Sequence, residues 1–591
     1  MNLSPDQRIA GILIPTFAIR TEYDLGIGDT ASLKTLVDWA AEHGLSVVQL
    51  LPINETGRDN SPYNAISSAA LEPSTIATTP EALPDLKEED YQDVIRSYDL
   101  QALRRGGIDY PVVKRLKRAL LQKAFASFCT SELQAETQRA QAFLQFRKKH
   151  ADWLEGYALF RILIDRNDGV ETYDSWPETQ RTAMLARQWI DSQTSEERQR
   201  IGEERNFVSY IQWVAYTQWQ EVHAYANERR VALMGDVPMG ISYYSADVYT
   251  HPELFRRDWS GGAPPETIFD SEPFVKKWGQ NWGIPLYDWN RMRRDHFAWW
   301  RRRIGLICEL FDVVRIDHIL GMYRIYAFPW RPEKNLEFLD IPNDLVLEKT
   351  NGRVPQFMER GDDSLYNKEL NRQQGDEILR TLLRAAGDSA IVGEDLGVVP
   401  DYVRPHLASL GIPGFKIPNW EIDYSNGQLI PGCMYPRCSV TTYATHDHDP
   451  MKVYWNRTVK RAVQLNPSNH AKLQAEIDTA NWELFRLCEY AGILRSEDNP
   501  FPLFDDTIHE KLLEALFQSN SWMAICMITD LIGSTQRFNV PGAISSSNWS
   551  ERLSHTIAEM RQHPEVSAKM QRISEIIRAS GRIIPSAPKA G

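Results

Sequence analysis

The chain has 591 residues, of which 42% are hydrophobic and 25% charged, a composition typical of a soluble globular protein. Its net charge of −13, with no long basic run, argues against nucleic acid or an anionic membrane surface as a partner. No secretory signal and no run of roughly 20 apolar residues is recognisable. We therefore expect a cytoplasmic protein with neither a nucleic acid nor a membrane as partner.

Eight short hydrophobic runs along the chain have the composition of buried strands. They cover residues 11–15, 47–52, 231–236, 313–317, 390–394, 414–417, 439–443 and 523–529. Continuous apolar character is typical of strands that are buried on both faces, and amphipathic helical stretches between the runs favour parallel pairing. The pattern predicts an α/β fold, a closed (β/α)8 TIM barrel, with a doubly wound open sheet as the structural alternative.

The connections between these runs are unequal, which predicts insertions into a single catalytic barrel domain that spans residues 1–591. Helical stretches at 113–128, 153–166 and 207–228 lie between the second and third runs, and we predict a helical subdomain at about 53–205. Residues 242–289, rich in Gly, Pro and Trp, are expected to form an ordered active-site loop. Helical spacing predicts a last helix around 566–577, followed by a disordered end at 585–591.

Three carboxylate motifs lie where predicted strands end. R-I-D-H covers residues 315–318, G-E-D-L-G covers 393–397, and T-H-D-H-D covers 445–449. Barrel enzymes keep their catalytic groups at the carboxyl ends of the strands. The motifs therefore predict an active site that contains Asp317, Glu394 and Asp447.

The two acids on apolar strands are expected to differ in protonation. Arg315 and Asp317 lie two apart on a strand and share a side, so the guanidinium would keep the carboxylate ionised. Glu394 ends an apolar run, where loss of solvation raises the pKa of a carboxyl group. An ionised and a protonated carboxyl group are what glycoside cleavage requires, and a separation of about 5 to 5.5 Å marks the retaining mechanism.

Other interpretations of the same residues stay open at this point. An isolated acid at a strand end is often a helix cap or a salt-bridge partner. His446 and His448 form an H-x-H pair that could bind a metal ion, with Asp447 or Asp449 as a further ligand. Aromatic side chains in the 242–289 loop, Trp282, Tyr287 and Trp289, could stack on sugar rings, which would also suit a glycan-binding protein without catalytic activity.

The sequence resembles glycoside hydrolase family 77, the 4-α-glucanotransferases also called amylomaltases or disproportionating enzymes. The matching segments occur in order along the chain. They are L-P-I-N-E-T-G-R-D-N-S-P-Y-N at 51–64, G-D-V-P-M-G-I at 235–241, S-A-D-V-Y-T-H-P-E at 245–253, G-A-P-P at 262–265, N-W-G-I-P-L-Y-D-W at 281–289, V-R-I-D-H at 314–318, G-E-D-L-G-V-V-P at 393–400, Y-P-R-C-S-V at 435–440, T-H-D-H-D at 445–449, N-V-P-G at 539–542 and N-W at 548–549. The resemblance implies a barrel enzyme that transfers segments of maltooligosaccharides and α-1,4-glucans without a metal or organic cofactor.

The resemblance also implies roles for individual residues. Asp317 would be the nucleophile, Glu394 the general acid and base, and Asp447 the acid that holds the distorting sugar ring. The implied sugar-binding residues are Ser61, Tyr63, Asp236, Trp282, Arg315, His318, Asp395 and His446.

Several positions depart from the family pattern. The third motif carries His448 and Pro450, where T-H-D-N-D-T is usual, Ile284 interrupts W-G-N-P, and residues 415–421 replace a different aromatic run. These changes affect predicted subsites and not the three acids. The functional alternatives are an α-amylase-type hydrolase with the same acids, a metal-dependent barrel hydrolase and a non-catalytic glycan binder.

Overall fold

The computed structural model describes residue 1 and residues 3–265, 273–462, 470–496, 500–541 and 547–582. The predicted disordered end at 585–591 lies outside these residues. Within them the strands are β1 (Ile9–Leu13), β2 (Val47–Gln49), β3 (Ala232–Val237), β4 (Phe255–Ala263), β5 (Gln280–Tyr287), β6 (Val313–Ile316), β7 (Ile325–Phe328), β8 (Gln356–Met358), β9 (Ala390–Gly393), β10 (Gly414–Lys416), β11 (Ser439–Thr441) and β12 (Met523–Met527).

The α-helices alternate with these strands or fill the long connections. They are α1 (Thr30–Glu42), α2 (Glu88–Ile95), α3 (Leu100–Arg105), α4 (Tyr110–Phe128), α5 (Gln138–Lys149), α6 (Ala151–Arg166), α7 (Ala183–Asp191), α8 (Ser195–Glu228), α9 (Ala246–Thr250), α10 (Pro273–Trp278), α11 (Trp289–Arg294), α12 (Ala298–Cys308), α13 (Asn343–Lys349), α14 (Leu365–Ala386), α15 (Val403–Ser409), α16 (Met451–Ala462), α17 (His470–Ala491), α18 (Asp506–Gln518), α19 (Ile528–Leu531), α20 (Ile557–Gln562) and α21 (Pro564–Ala579).

Eight of the strands form one parallel sheet that curves into a barrel. Their order is β10-β11-β12-β1-β2-β3-β6-β9, so β1 pairs with β2 on one side and with the last strand, β12, on the other. The remaining gap is bridged where the Gly393 N–H donates to the Pro413 carbonyl at 2.9 Å. The predicted TIM barrel is confirmed, and the open doubly wound sheet is wrong because the two edge strands meet.

Seven helices, α2 to α8, lie between β2 and β3. The last of them, α8, begins where the Thr194 side chain accepts a hydrogen bond from the Glu197 N–H, and it continues for 34 residues. Buried residues concentrate from Phe207 to Ala226, in the part of the helix that leads into β3. The predicted boundary of the helical subdomain near residue 205 therefore falls inside one continuous helix. The division of the chain into subdomains stays a prediction.

Residues 242–289, which the sequence predicts as an ordered loop, contain α9, β4, α10 and β5. The two strands belong to a second, antiparallel sheet with the order β5-β4-β7-β8. Their pairing is irregular, with register shifts after Arg256 and after Gly261. Gly262 lies so close to its partner strand that a Cβ atom there would be 1.9 Å from the Gln280 carbonyl oxygen. Glycines and bulges of this kind interrupt the alternation of apolar and polar residues by which strands are recognised in a sequence.

The last helix follows the predicted spacing. In α21, Met570, Ile573 and Ile577 are buried, and Val566 packs against the same hydrophobic core. Among the described residues, no helix combines the length and the apolar character that a membrane crossing requires.

Candidate active site

Four acids that lie at the carboxyl ends of barrel strands form the centre of the site. Asp236 is on β3, Asp317 follows β6, Glu394 follows β9, and Asp447 lies in the loop after β11. The strands are parallel, so these ends open at one mouth of the barrel. The register places Asp236 beside Arg315 and Ile316 beside Gly393, which brings three of the four acids to adjoining strands.

Arg315 connects two of these acids. Its Nη1 atom donates to both carboxylate oxygens of Asp236 at 2.7 Å, and its Nη2 atom lies 2.8 Å from Oδ1 of Asp317. Burial alone would lower the pKa of Arg315, but Asp236 and Asp317 outweigh it and raise that pKa well above its usual range. The guanidinium therefore stays charged, and it forms the ion pair with Asp317 that the sequence predicts.

Glu394 is buried next to this pair. The backbone N–H groups of His318 and Leu396 donate to its two carboxyl oxygens at 2.8 and 3.1 Å. Burial raises the pKa of Glu394 to about 8, helped by the negative charge of Asp317 and opposed by Arg315. At neutral pH Glu394 therefore holds a proton that it can donate. The expectation that its apolar surroundings raise its pKa agrees with this geometry.

The side chains of Tyr63 and His446 lie together next to Asp236. The Tyr63 hydroxyl donates to Oδ2 of Asp236 at 2.6 Å and lies 3.4 Å from Nδ1 of His446. The two rings are stacked, with centroids 4.9 Å apart and an interplanar angle of 13°. Ser61, two residues earlier in the loop after β2, accepts a hydrogen bond from the Tyr63 N–H at 3.4 Å. The predicted site residues of this loop, Ser61 and Tyr63, thus lie next to the predicted site residues of the barrel, Asp236 and His446.

Asp447 is held from two sides. Nε2 of His446 lies 3.3 Å from its Oδ2 atom, and the Asn539 amide donates to Oδ1 at 2.6 Å. Burial raises the pKa of Asp447, but His446 and Asn539 outweigh it and lower that pKa well below its usual range. Asp447 is thus ionised at neutral pH, and its side chain is 44% exposed, so its carboxylate can accept hydrogen bonds from a ligand.

His318 and Trp282 lie together next to Glu394. Their rings meet edge to face with centroids 4.9 Å apart. His318 occupies the left-handed backbone region, with φ of 44°, and this sharp turn directs its N–H to Glu394. Burial lowers the pKa of His318 to about 4, so its imidazole is neutral at pH 7. Trp282 is 39% exposed and can therefore contact a ligand.

Two aromatic residues that the sequence suggested for sugar stacking are instead part of the protein core. Tyr287 and Trp289 are 4% and 6% exposed and pack against Trp300. Tyr287 ends β5, and Trp289 begins α11. The suggestion is wrong for these two residues because they lie in regular structure that packs on α12, and not in an exposed loop.

The structure does not bring the Asp395 carboxylate into this cluster. Its Oδ2 atom accepts from Arg404 at 3.0 Å, and its Oδ1 atom accepts from the Phe415 N–H at 2.6 Å. The carboxylate also fills the space beside Gly414, where a Cβ atom would lie 2.6 Å from it. These contacts join β9 to β10, the strands at which the barrel closes. The sugar-binding role implied for Asp395 stays a prediction without a supporting contact.

His448, the second histidine of H-x-H, is held by its own loop. The Thr445 N–H donates to its Nδ1 atom at 3.1 Å, which occupies that nitrogen. In the part of the chain that the structure describes, no group of three His, Cys, Asp or Glu side chains is placed to hold a metal ion.

Three further residues reach the site although their roles were not recognised from the sequence. Asn539 contacts the Asp447 carboxylate, and Arg537 donates to the Asp447 carbonyl. The Trp549 ring lies 5.9 Å from Tyr63 and 6.0 Å from His446. The segments N-V-P-G and N-W, which contain Asn539 and Trp549, are part of the family resemblance and were the only signal available.

Comparisons with known proteins match most of the chain. The model of glycoside hydrolase family 77, described as 4-alpha-glucanotransferase, matches residues 14–557. The 4-alpha-glucanotransferase of Chlamydia pneumoniae is 31% identical over 570 residues, which cover 95% of this chain and 94% of that protein. The 4-alpha-glucanotransferase DPE2 of rice is 36% identical over 331 residues, which cover 54% of this chain and 32% of the rice protein.

Solved structures support the fold. The amylomaltase from Streptococcus agalactiae in complex with acarbose has a TM-score of 0.70 at 22% identity, covering 98% of this chain and all of that one. The amylomaltase from Corynebacterium glutamicum has a TM-score of 0.71 at 19% identity, covering 97% of this chain and 75% of that one. The family match spans most of the sequence and includes all four acids of the barrel mouth. The chain therefore belongs to glycoside hydrolase family 77, the 4-α-glucanotransferases.

Proposed function

We propose that this glucanotransferase moves α-1,4-glucan segments from a donor maltooligosaccharide to the 4-hydroxyl of an acceptor glucan or glucose by a retaining double displacement. The observation that carries the proposal is the pair of carboxyl groups that directly follow the adjoining strands β6 and β9. Asp317 is ion-paired with Arg315, whereas burial raises the pKa of Glu394 to about 8. One group is therefore ready to attack a sugar carbon, and the other to donate a proton.

In the first step, the Glu394 proton moves to the glycosidic oxygen while an Asp317 oxygen attacks the anomeric carbon. The bond to the leaving glucan breaks, and a glucosyl ester of Asp317 forms. The ester carries no charge, so Asp317 no longer raises the pKa of Glu394. Glu394 is then the base that removes the proton of the acceptor 4-hydroxyl, which displaces Asp317. Two inversions retain the α configuration.

Asp447 stabilises the reacting ring as it distorts. Its ionised carboxylate, fixed by His446 and Asn539, can accept hydrogen bonds from sugar hydroxyls that strengthen toward the transition state. Side chains around it supply the mixture of donors and acceptors that recognises a polyol. In this proposal the sugar-binding residues are Ser61, Tyr63, Asp236, Trp282, Arg315, His318 and His446, with Asp395 as a further candidate.

Transfer must outcompete hydrolysis, although water is the more abundant nucleophile. Binding and orientation can provide an effective molarity far above that of bulk water, so an aligned acceptor wins. An α-amylase-type hydrolase would use the same acids without this alignment. The proposed mechanism takes both the nucleophile and the proton from side chains and requires no metal or organic cofactor.

Incubation of the enzyme with maltotriose tests the proposal. A transferase converts it to glucose and longer oligosaccharides, while the total number of reducing ends stays constant. A hydrolase produces glucose and maltose with rising reducing ends, and a glycan-binding protein leaves maltotriose unchanged. Chromatography of the products, with a reducing-end assay on the same samples, distinguishes the three.

A further inference from the structure

Arg537 connects three parts of the active-site mouth through one side chain. It lies in the segment after α19, and each of its three nitrogen atoms has its own acceptor. Nη1 pairs with the Asp449 carboxylate, Nη2 donates to the Asp447 carbonyl, and Nε donates to the Asn539 carbonyl. We propose that Arg537 is a positioning residue that acts on the reaction through Asp447, by fixing its carboxylate for the transition state. This inference rests on the function proposed above.

The Asp447 carboxylate is supported from outside its own loop. Asp447 lies in the loop between β11 and α16, and its side chain is 44% exposed. A carboxylate on an exposed loop is free to adopt several rotamers unless other groups hold it. His446, from the same loop, lies 3.3 Å from this carboxylate, and the Asn539 amide donates to it at 2.6 Å. Asn539 supplies the contact from outside the loop, so a group that holds Asn539 also holds the carboxylate.

Arg537 fixes both ends of the hydrogen bond between Asn539 and Asp447. Nη2 holds the backbone of Asp447 and Nε holds the backbone of Asn539, so the two residues keep one separation and one orientation. A displacement of about 1 Å at a catalytic group can lower the rate by about a hundredfold. Loss of Arg537 should therefore slow the step in which the Asp447 carboxylate stabilises the distorted ring.

Asp449 in turn anchors the guanidinium of Arg537. The Asp449 carboxylate is 12% exposed and lies between two arginines, with Arg537 at Oδ1 and Arg457 at Oδ2. Arg457 is 56% exposed, and within the described part of the chain it hydrogen-bonds to neither Asp447 nor Asn539. The two arginines thus share one acid, but only Arg537 continues to Asp447. Arg457 is therefore a matched control for Arg537.

The three contacts of Arg537 require a guanidinium group and not only a positive charge. The acceptors lie in different directions, and the planar fork presents five N–H donors in fixed positions. A lysine has one nitrogen atom at the end of a flexible chain, so it could keep the ion pair with Asp449 but not all three contacts. Arg537→Lys should therefore lose nearly as much activity as Arg537→Ala. If the charge alone were needed, lysine would restore the activity.

Steady-state kinetics of maltotriose disproportionation test the inference. We expect Arg537→Ala and Arg537→Lys to lower kcat by roughly ten- to a hundredfold while KM stays within about threefold, because Asp447 acts mainly in the transition state. Arg457→Ala removes the other arginine from the same acid and should keep kcat within about twofold of the parent value. Circular dichroism and thermal melting check that each variant is folded.

A double variant separates this role from a general loss of structure. Because both residues act through Asp447, Arg537→Ala combined with Asn539→Ala should lose less activity than the product of the two single losses. Arg537→Lys takes the place of Arg537→Ala in this cycle if the alanine variant does not fold.

Four results would overturn the inference. They are single losses that multiply in the double variant, a parent kcat in folded Arg537→Lys, a raised KM with unchanged kcat in the Arg537 variants, and a loss in Arg457→Ala as large as that in Arg537→Ala. Failure of the unmodified enzyme to transfer at all would instead refute the proposed function.

Discussion

At the scale of single residues, the proposed mechanism depends on two carboxyl groups in different surroundings. Asp317 lies 2.8 Å from the buried and permanently charged Arg315, with 28% of its side chain exposed. Glu394 is 9% exposed and accepts hydrogen bonds from two backbone N–H groups. These hydrogen bonds favour the ionised form, but burial has the larger effect and raises the pKa of Glu394. In the proposed mechanism, the ion-paired carboxyl group is the nucleophile and the desolvated carboxyl group is the acid.

Asp317→Asn should abolish transfer while the protein stays folded. An amide cannot replace a carboxylate as the covalent nucleophile, and loss of such a group lowers turnover by about three orders of magnitude or more. Maltotriose disproportionation measures the activity, and circular dichroism with thermal melting checks the fold. Near-parent turnover in a folded Asn variant would remove Asp317 from this role.

Glu394→Gln should lose transfer from ordinary maltooligosaccharides, because both steps need the carboxyl group. With α-glucosyl fluoride, whose leaving group needs little protonation, the first step should survive in part, and a glucosyl adduct on Asp317 should accumulate. Mass spectrometry of the intact variant and of its peptides measures this. Equal loss toward both substrates without an adduct, or an adduct on another carboxylate, would contradict the assignment.

The pH dependence should report the raised pKa of Glu394. The first step needs the protonated acid, so kcat/KM for maltooligosaccharides should be high below the pKa of about 8 and fall as the pH rises through it. With α-glucosyl fluoride, the rate of glucosyl-enzyme formation should fall much less over the same rise in pH. A profile for maltotriose that stays flat from roughly pH 6 to 10 would show that Glu394 does not titrate as proposed.

At the scale of secondary-structure elements, the loops after the strands decide which side chains reach the site. Glu394 and Asp395 are consecutive and directly follow β9. Successive side chains of an extended chain point in opposite directions, so only one of the two faces the cluster. Glu394 contacts the turn that carries His318, whereas Asp395 contacts Arg404 and the backbone of β10.

Asp395→Ala should therefore destabilise the protein more than it alters substrate binding. It leaves the buried Phe415 N–H without its acceptor, a loss of about 1 to 3 kcal/mol in the free energy of unfolding. Asp395→Asn retains an oxygen for that N–H and should lose less. Chemical denaturation measures the stability, and the KM for maltotriose measures binding. A raised KM with unchanged stability would support the sugar-binding role that the resemblance implies.

Elements also show how far the sequence could predict the site. The eight strands were recognised within a few residues, because buried parallel strands are continuous apolar runs. The antiparallel sheet of β4, β5, β7 and β8 was missed, because its glycines and bulges interrupt the alternation that marks a strand. Asn539 and Trp549 were assigned no role, because their contacts with Asp447 and His446 span about a hundred residues of chain.

At the scale of the whole molecule, one closed barrel brings together acids from distant parts of the sequence. Asp236 and Asp447 lie more than 200 residues apart, yet both contact the pair formed by Tyr63 and His446. The family match confirms the predicted enzyme class, 4-α-glucanotransferase, and does not favour the hydrolase, metal-dependent or non-catalytic alternatives.

Treatment with a chelator should leave transfer unchanged. In the proposed mechanism the two carboxyl groups supply the nucleophile and the proton, which a bound metal and its water supply in metallohydrolases. Maltotriose disproportionation before and after dialysis against EDTA measures this, with a zinc-dependent hydrolase treated in parallel. Activity that disappears in EDTA and returns with zinc would favour a metal site at His446 and His448.

The sequence by itself determined the barrel and the positions of its acids at the strand ends, because apolar runs and their boundaries are local properties of the chain. Only the tertiary structure decided that Asp395 contacts β10, that Tyr287 and Trp289 pack in the core, and that Arg537 contacts Asp447. These outcomes depend on the direction in which each side chain points. That direction is set by which distant segment packs there, and no local pattern encodes it.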